Sequence, residues 1–125
     1  MRPGQGRAQG WGGTDIPAVP EITPTELKER LERKDRIVLV DVREPHERAI
    51  ADLPDVGQLL IPLREIPDRT GELDPASELV LYCRSGVRSG KAALYLQSRG
   101  FGHVLNLKGG LLRWREEIDP SLRAY

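Results

Sequence analysis

The sequence has very few of the residues that form disulfides and metal sites in proteins. It has one cysteine, so no disulfide can form within the chain, and its only histidines are His46 and His103. A zinc site needs several such ligands at short, regular spacings, which these residues do not offer. We therefore expect neither a metal ion nor a cofactor. The single thiol, Cys83, is either a buried core residue or a reactive group.

Long hydrophobic runs are also missing. No apolar stretch reaches the roughly 18 residues that cross a bilayer, and the first residues do not resemble a secretion signal. We expect a cytoplasmic protein that does not enter membranes. The net charge is zero. The last third of the chain is basic, but this excess is too small to predict nucleic-acid binding.

The chain of 125 residues is long enough for one domain with a single core. Residues 1–19 are rich in glycine and proline and lack apolar periodicity, which predicts a flexible leader. The folded domain is expected to span residues 20–125. Nothing in the sequence requires more than a monomer.

Short apolar runs without polar alternation predict strands that are buried on both faces, as in a parallel sheet. Such runs occupy residues 37–40, 59–61, 79–82 and 104–107, and a fifth short strand is expected at 21–22.

Helical patterns lie between these runs. The first begins at a capping box formed by Thr23 and Glu26, and the others cover residues 63–70, 87–99 and 110–118. Strands that alternate with helices predict an α/β fold. We expect three layers, with a mostly parallel central sheet of about five strands and helices on both faces.

The most informative segment follows the strand at residues 79–82. Cys83 comes directly after this strand, and a short loop containing Gly86 runs into a helix. The N–H groups of such a loop and of the first helical turn can converge on an anion, and Gly86 tolerates the positive φ this requires. The residues predicted to surround the sulfur are Arg84, Ser85, Gly86, Val87, Arg88 and Ser89.

A cysteine at a strand end is, taken alone, more often a structural core residue. The glycine loop, the helix dipole and the two arginines instead favour a reactive thiolate at Cys83. Asp41 and Arg43 follow another strand at the same edge of the sheet, and we expect them to support the loops by hydrogen bonds. His46 and His103 are expected at the surface.

Three segments resemble motifs of the rhodanese family. Residues 83–89 (Cys-Arg-Ser-Gly-Val-Arg-Ser) resemble its active-site loop, and residues 41–44 (Asp-Val-Arg-Glu) resemble its Asp-Val-Arg motif. Residues 106–110 (Asn-Leu-Lys-Gly-Gly), followed by Trp114, resemble its C-terminal motif.

The similarity covers residues 20–125 and is closest to the rhodanese domains appended to adenylyltransferases of molybdopterin and thiamine biosynthesis. One stretch departs from the family pattern: residues 49–57 lack the usual histidine and are slightly longer. The departure concerns one wall of the site and leaves the nucleophile in place.

The resemblance implies a thiosulfate sulfurtransferase in which Cys83 accepts sulfane sulfur as a persulfide. The donor would be thiosulfate or a protein persulfide, such as that of a cysteine desulfurase, and Arg84 and Arg88 would bind an anionic donor. The acceptor would be cyanide or a ubiquitin-like sulfur-carrier protein.

Two other functions remain open at this point. Phosphatases and arsenate reductases that share this fold use a loop of the form Cys-x5-Arg, whereas Cys83 and Arg88 are separated by only four residues. Other rhodanese-like domains are docking or regulatory modules that lack the cysteine. A mercaptopyruvate sulfurtransferase is the alternative within the same class, although its loop usually has a small residue in place of Arg84.

Overall fold

A computed structural model describes residues 19–125. The predicted leader therefore lies outside the described residues, apart from Val19, which packs against the core. The strands are β1 (Glu21–Ile22), β2 (Val38–Asp41), β3 (Leu59–Leu60), β4 (Leu79–Tyr82) and β5 (Val104–Leu107). The helices are α1 (Pro24–Glu32), α2 (Ile66–Arg69), α3 (Val87–Ser98) and α4 (Gly110–Glu117).

The five strands form one parallel sheet in the order β1-β5-β4-β2-β3. Its central strand, β4, is buried along its whole length. Leu79 and Leu81 face one apolar cluster, while Val80 and Tyr82 face another. Because both faces of this strand are covered, its sequence shows no polar alternation.

The helices supply the two outer layers. Ala92, Ala93 and Leu96 of α3 pack in one cluster, and Leu111 and Trp114 of α4 pack in the other. Leu27 of α1 lies in the same cluster as α4. The predicted α/β fold, with helices on both faces of a five-stranded sheet, is confirmed.

Local signals position the first helix as predicted. The Thr23 hydroxyl accepts a hydrogen bond from the Glu26 N–H at 3.1 Å, and the Glu26 carboxylate accepts one from the Thr23 N–H at 2.9 Å. Pro24 occupies the first helical position, where its missing N–H has no partner to lose. This reciprocal pair fixes the point at which the chain leaves β1.

The predicted single helix at residues 63–70 is wrong in detail. The segment consists of a 3-10 turn (Leu63–Glu65), the short helix α2 and a second 3-10 turn (Thr70–Glu72). Pro67 explains the break, because proline has no N–H to continue the hydrogen bonds of a preceding turn. The structure also adds a 3-10 helix at Pro45–Ala49 that the sequence patterns did not predict.

Candidate active site

Cys83 follows β4 at the carboxyl edge of the sheet, where parallel α/β sheets place their ligand sites. Only 1% of its surface is exposed. The sulfur therefore lies at the floor of a loop and not on an open surface, and its environment is set by the groups that line that loop.

The loop after Cys83 aims its donors at the sulfur. Gly86 has a φ of 97°, and its N–H donates to Cys83 Sγ over 3.1 Å. The Ser89 N–H, in the first turn of α3, lies 3.5 Å from the same atom. The predicted cradle of backbone N–H groups is present around the sulfur.

These groups alter the acidity of the thiol. Burial raises the pKa of Cys83, but hydrogen bonds to the sulfur, including those from the N–H groups of Ser89, Gly86 and Ser85, outweigh burial, so the pKa lies below the ordinary cysteine value. The arrangement therefore favours a nucleophilic thiolate through neutral donors.

The start of α4 packs against the loop after Cys83. The N–H groups of Leu111 and Leu112, at the start of α4, donate over 3.0 Å to the carbonyls of Cys83 and Arg84. Gly110 makes this approach possible, because a Cβ there would lie 2.5 Å from the Cys83 carbonyl oxygen. The glycine pair of the 106–110 motif thus lets one helix terminus hold the backbone of the cysteine loop.

In the structure Arg88 pairs with Glu47, a partner that the sequence did not indicate. Its guanidinium donates two hydrogen bonds, of 2.8 and 2.9 Å, to the carboxylate of Glu47. This pair, opposed by burial, lowers the pKa of Glu47 to about 2. The charge of Arg88 still lies near Cys83 and interacts with it. The sequence signal that could have singled out Glu47 is a local capping pattern. Its carboxylate accepts a hydrogen bond from the Glu44 N–H and so caps its own 3-10 helix.

Arg84 is held by the last residue of the chain. Its Nε donates to the main-chain oxygen of Tyr125, and its guanidinium carbon lies 5.5 Å from the centre of the Tyr125 ring. The Tyr125 hydroxyl accepts from Arg43 over 2.8 Å and donates to Glu47 over 2.9 Å. Tyr125 therefore connects the loop after β4 with the segment after β2.

Asp41 and Arg43 are buried beneath this connection. Arg43 donates to both carboxylate oxygens of Asp41 over 2.9 Å, and to the carbonyl of Ala51 over 2.8 Å. Neither side chain is exposed. A buried charge needs such complete pairing, and here the pairing ties β2 to the stretch that departs from the family pattern.

In that departing stretch, Asp52 takes a structural role. Its Oδ1 accepts from the Tyr82 hydroxyl over 2.6 Å and from Arg43 over 3.1 Å. His46 and His103 are exposed, as expected. Val87, one of the predicted loop residues, is also exposed (62%).

Among models of protein families, the one for the rhodanese-like domain matches residues 23–117 of this sequence. The chain belongs to the rhodanese-like family.

Members of this rhodanese family include proteins of similar length and parts of larger ones. A sulfurtransferase of Allochromatium vinosum is 44% identical over 102 residues, which cover 82% of this chain and 94% of that protein. The probable adenylyltransferase/sulfurtransferase MoeZ of Mycobacterium tuberculosis is 35% identical, but the match covers only 26% of its length. The predicted likeness to adenylyltransferase-linked rhodanese domains is confirmed.

Solved structures show the same fold. A rhodanese-like domain protein from Staphylococcus aureus superimposes with a TM-score of 0.72 at 32% sequence identity. The match covers 86% of this chain and 99% of that protein. Within residues 19–125, no helix has the length and apolar composition needed to cross a bilayer.

Proposed function

We propose that this rhodanese domain is a thiosulfate sulfurtransferase that carries sulfane sulfur on Cys83. The observation that carries the proposal is the convergence of the Gly86 and Ser89 N–H groups on the only sulfur of the loop. Such a cradle stabilises a thiolate, and a persulfide places the same negative charge one atom further out.

The reaction has two displacements at sulfur. The Cys83 thiolate attacks the outer sulfur of thiosulfate, a new S–S bond forms, and the sulfur–sulfur bond of the donor breaks. Sulfite leaves with the electron pair. Cyanide then attacks the outer sulfur of the persulfide, thiocyanate departs, and the Cys83 thiolate is restored.

Arg84 and Arg88 are the groups we propose for binding an anionic donor. Each guanidinium carries five N–H donors. Arg88 directs two of its hydrogen bonds to Glu47, and Arg84 directs one to Tyr125. These contacts fix the two side chains and leave further N–H groups for a sulfonate-like anion.

The cellular donor and acceptor follow from the same chemistry. A cysteine desulfurase persulfide delivers the same outer sulfur as thiosulfate, and we propose a ubiquitin-like sulfur carrier as the protein acceptor. The exposed Val87 beside the loop offers an apolar contact for such proteins. We propose that the domain works in the cytoplasm, as a monomer that meets its partners transiently.

The phosphatase alternative is disfavoured by the size of the loop. Its backbone is tightly confined, since a Cβ on Gly86 would lie 3.3 Å from the Gly109 nitrogen and 3.4 Å from the Leu107 oxygen. The four residues between Cys83 and Arg88 make a cradle suited to one sulfur atom. A docking-only role would not require this polar lining.

Intact mass spectrometry tests the proposal directly. Thiosulfate should add about 32 Da, one sulfur atom, to the protein, and cyanide should remove it. Cys83→Ser is the control and should show no gain. If the native protein gains no mass while Cys83 still alkylates, thiosulfate is not its donor; turnover of an aryl phosphate would then favour the phosphatase.

A further inference from the structure

One residue of the C-terminal motif has contacts that the proposed reaction does not use. Asn106 lies on β5, is 5% exposed, and reaches the cysteine loop from the neighbouring strand. Its Nδ2 donates to the Gly86 carbonyl over 3.1 Å and to Glu21 over 3.4 Å. Its Oδ1 lies 2.6 Å from the Ser89 hydroxyl oxygen.

These partners fix which way the amide points. The Gly86 carbonyl and the Glu21 carboxylate are both acceptors, so the amide nitrogen must face them. Turning the amide over would place its oxygen against two acceptors and its nitrogen against Ser89. Asn106 therefore presents an acceptor, and only an acceptor, to the Ser89 hydroxyl.

The Ser89 hydroxyl has one proton and two acceptors within reach. Asn106 Oδ1 is 2.6 Å away, whereas Cys83 Sγ is 3.4 Å away. The shorter contact to an oxygen is the stronger hydrogen bond. The proton is therefore directed to Asn106, and a lone pair of the Ser89 oxygen faces the sulfur.

We propose that Asn106 is a positioning residue that holds the Ser89 hydroxyl proton away from Cys83 and so restrains ionisation of the thiol. While the Ser89 hydroxyl donates its proton to Asn106 Oδ1, its oxygen can accept a hydrogen bond from the neutral S–H of Cys83. After ionisation, the thiolate is left with the backbone N–H groups as donors, unless the Ser89 hydroxyl breaks its hydrogen bond to the buried Asn106 Oδ1. A thiolate of less depressed pKa is the better nucleophile, which gives this restraint a use in sulfur transfer.

The charged groups around the sulfur are the same in Asn106→Leu, in Ser89→Ala and in the double variant. They are Arg88 with its partner Glu47, Arg84 with its contact to Tyr125, the Asp41–Arg43 pair and Glu21 beside Asn106. A change in Cys83 acidity on altering Asn106 or Ser89 therefore reports on the hydroxyl proton and not on these charges.

The test is the pH dependence of alkylation by iodoacetamide, which reads the thiolate directly. The chain has a single cysteine, so no other thiol contributes. We expect Asn106→Leu to lower the pKa of Cys83 by about 1, because Ser89 is then free to donate to the thiolate. If loss of the Asn106 amide also disturbed the loop at Gly86, the pKa of Cys83 would shift in the opposite direction. A weaker hydrogen bond from the Gly86 N–H to the sulfur raises that pKa.

Ser89→Ala gives the second arm and does not depend on the behaviour of the leucine variant. If Asn106 holds the proton, removing the hydroxyl leaves the pKa of Cys83 unchanged or lower. The double variant should then match Ser89→Ala alone. Glu21→Gln is the matched control, because it alters the other contact of the same amide, and we expect its profile to follow that of the native protein.

Two results would overturn the proposal: a clear rise of the Cys83 pKa in Ser89→Ala, or an Asn106→Leu profile that superimposes on the native one. Thermal unfolding of each variant checks that the fold is retained, and Ser89→Ala decides if Asn106→Leu does not fold. Alkylation needs no sulfur donor. A failure of the proposed sulfur transfer would therefore leave this test intact.

Discussion

Two neighbouring regions of the molecule differ in how they stabilise charge. They are the cradle of N–H groups around Cys83 and an ionic layer formed by Asp41, Arg43 and Glu47. The cradle surrounds Cys83 with neutral donors, the N–H groups of Gly86 and Ser89. The ionic layer contains buried full charges: Arg43 is satisfied by Asp41 and by main-chain oxygens, and the Glu47 carboxylate is satisfied by Arg88 and the Tyr125 hydroxyl. One region is left with room for an added negative charge, and the other is internally balanced.

The difference separates binding from support. A fully paired ion has little left to give a substrate, so the ionic layer acts by holding loops in place. The cradle consists of dipoles that are fixed before any anion arrives, which is the arrangement that stabilises developing charge at low reorganisation. Changes in the two regions should therefore affect different measurements.

The largest effect on activity should come from removing the occupant of the cradle. Cys83→Ser should reduce sulfur transfer from thiosulfate to cyanide by at least about a thousandfold, because a hydroxyl is a poor nucleophile at neutral pH. Its urea unfolding curve should stay close to that of the native protein. Retained turnover in this variant would show that another group carries the sulfur.

The largest effect on stability should come from forcing the start of α4 away from the loop after Cys83. Gly110→Ala should lower the free energy of unfolding by about 3 kcal/mol, since a Cβ meets the Cys83 carbonyl and the backbone has a positive φ. Gly102→Ala is the matched control, because its Cβ would have no neighbour within 4 Å. Equal stability of the two variants in urea would contradict the close packing of α4 on the cysteine loop.

Breaking the ionic layer should affect stability in a pH-dependent way. Glu47 has a folded pKa of about 2 against an ordinary 4.5, so its stabilising contribution is complete above pH 4.5 and lost as the pH falls towards 2. Glu47→Gln should lower the free energy of unfolding by about 2 kcal/mol near neutral pH.

This deficit should shrink in urea titrations repeated below pH 4.5, where the native carboxylate also becomes protonated. The exposed Glu116→Gln is the control and should unfold like the native protein at each pH. A deficit in Glu47→Gln that is independent of pH would mean that the carboxylate charge is not the stabilising feature.

The smallest effect should come from Arg84, which we propose as a binding group for the anionic donor. Arg84→Ala should raise KM for thiosulfate about fivefold to tenfold with little change in kcat, because a positioned cation for the donor is lost. Arg99→Ala removes the same charge from an exposed site at the far end of α3 and serves as the control. An unchanged KM in Arg84→Ala would remove Arg84 from the donor site.

Much of the fold was predictable because its signals are local. The capping box at Thr23, the apolar runs of β2, β4 and β5, and the helix after Gly86 all depend on neighbours a few residues away. The same holds for Cys83 and its loop, where a strand, a glycine and a helix start follow one another. The departure at residues 63–72 shows the limit, since helical periodicity there was overruled by Pro67.

The contacts missed by sequence reasoning join distant segments. Arg88 and Glu47 are 41 positions apart, Arg43 and Tyr125 are 82 apart, and Ser89 and Asn106 are 17 apart. No periodicity or spacing within one segment encodes these partners. They arise because the parallel sheet brings the carboxyl ends of β2, β4 and β5 to one edge.

By itself, then, the sequence determined the order of strands and helices, the position of the single thiol and the backbone cradle, because hydrogen bonds within short segments define them. Only the tertiary structure decided which charges neutralise each other and where the one proton of Ser89 points. Those choices depend on distances of a few ångströms between side chains from different strands, and only the packed sheet sets those distances.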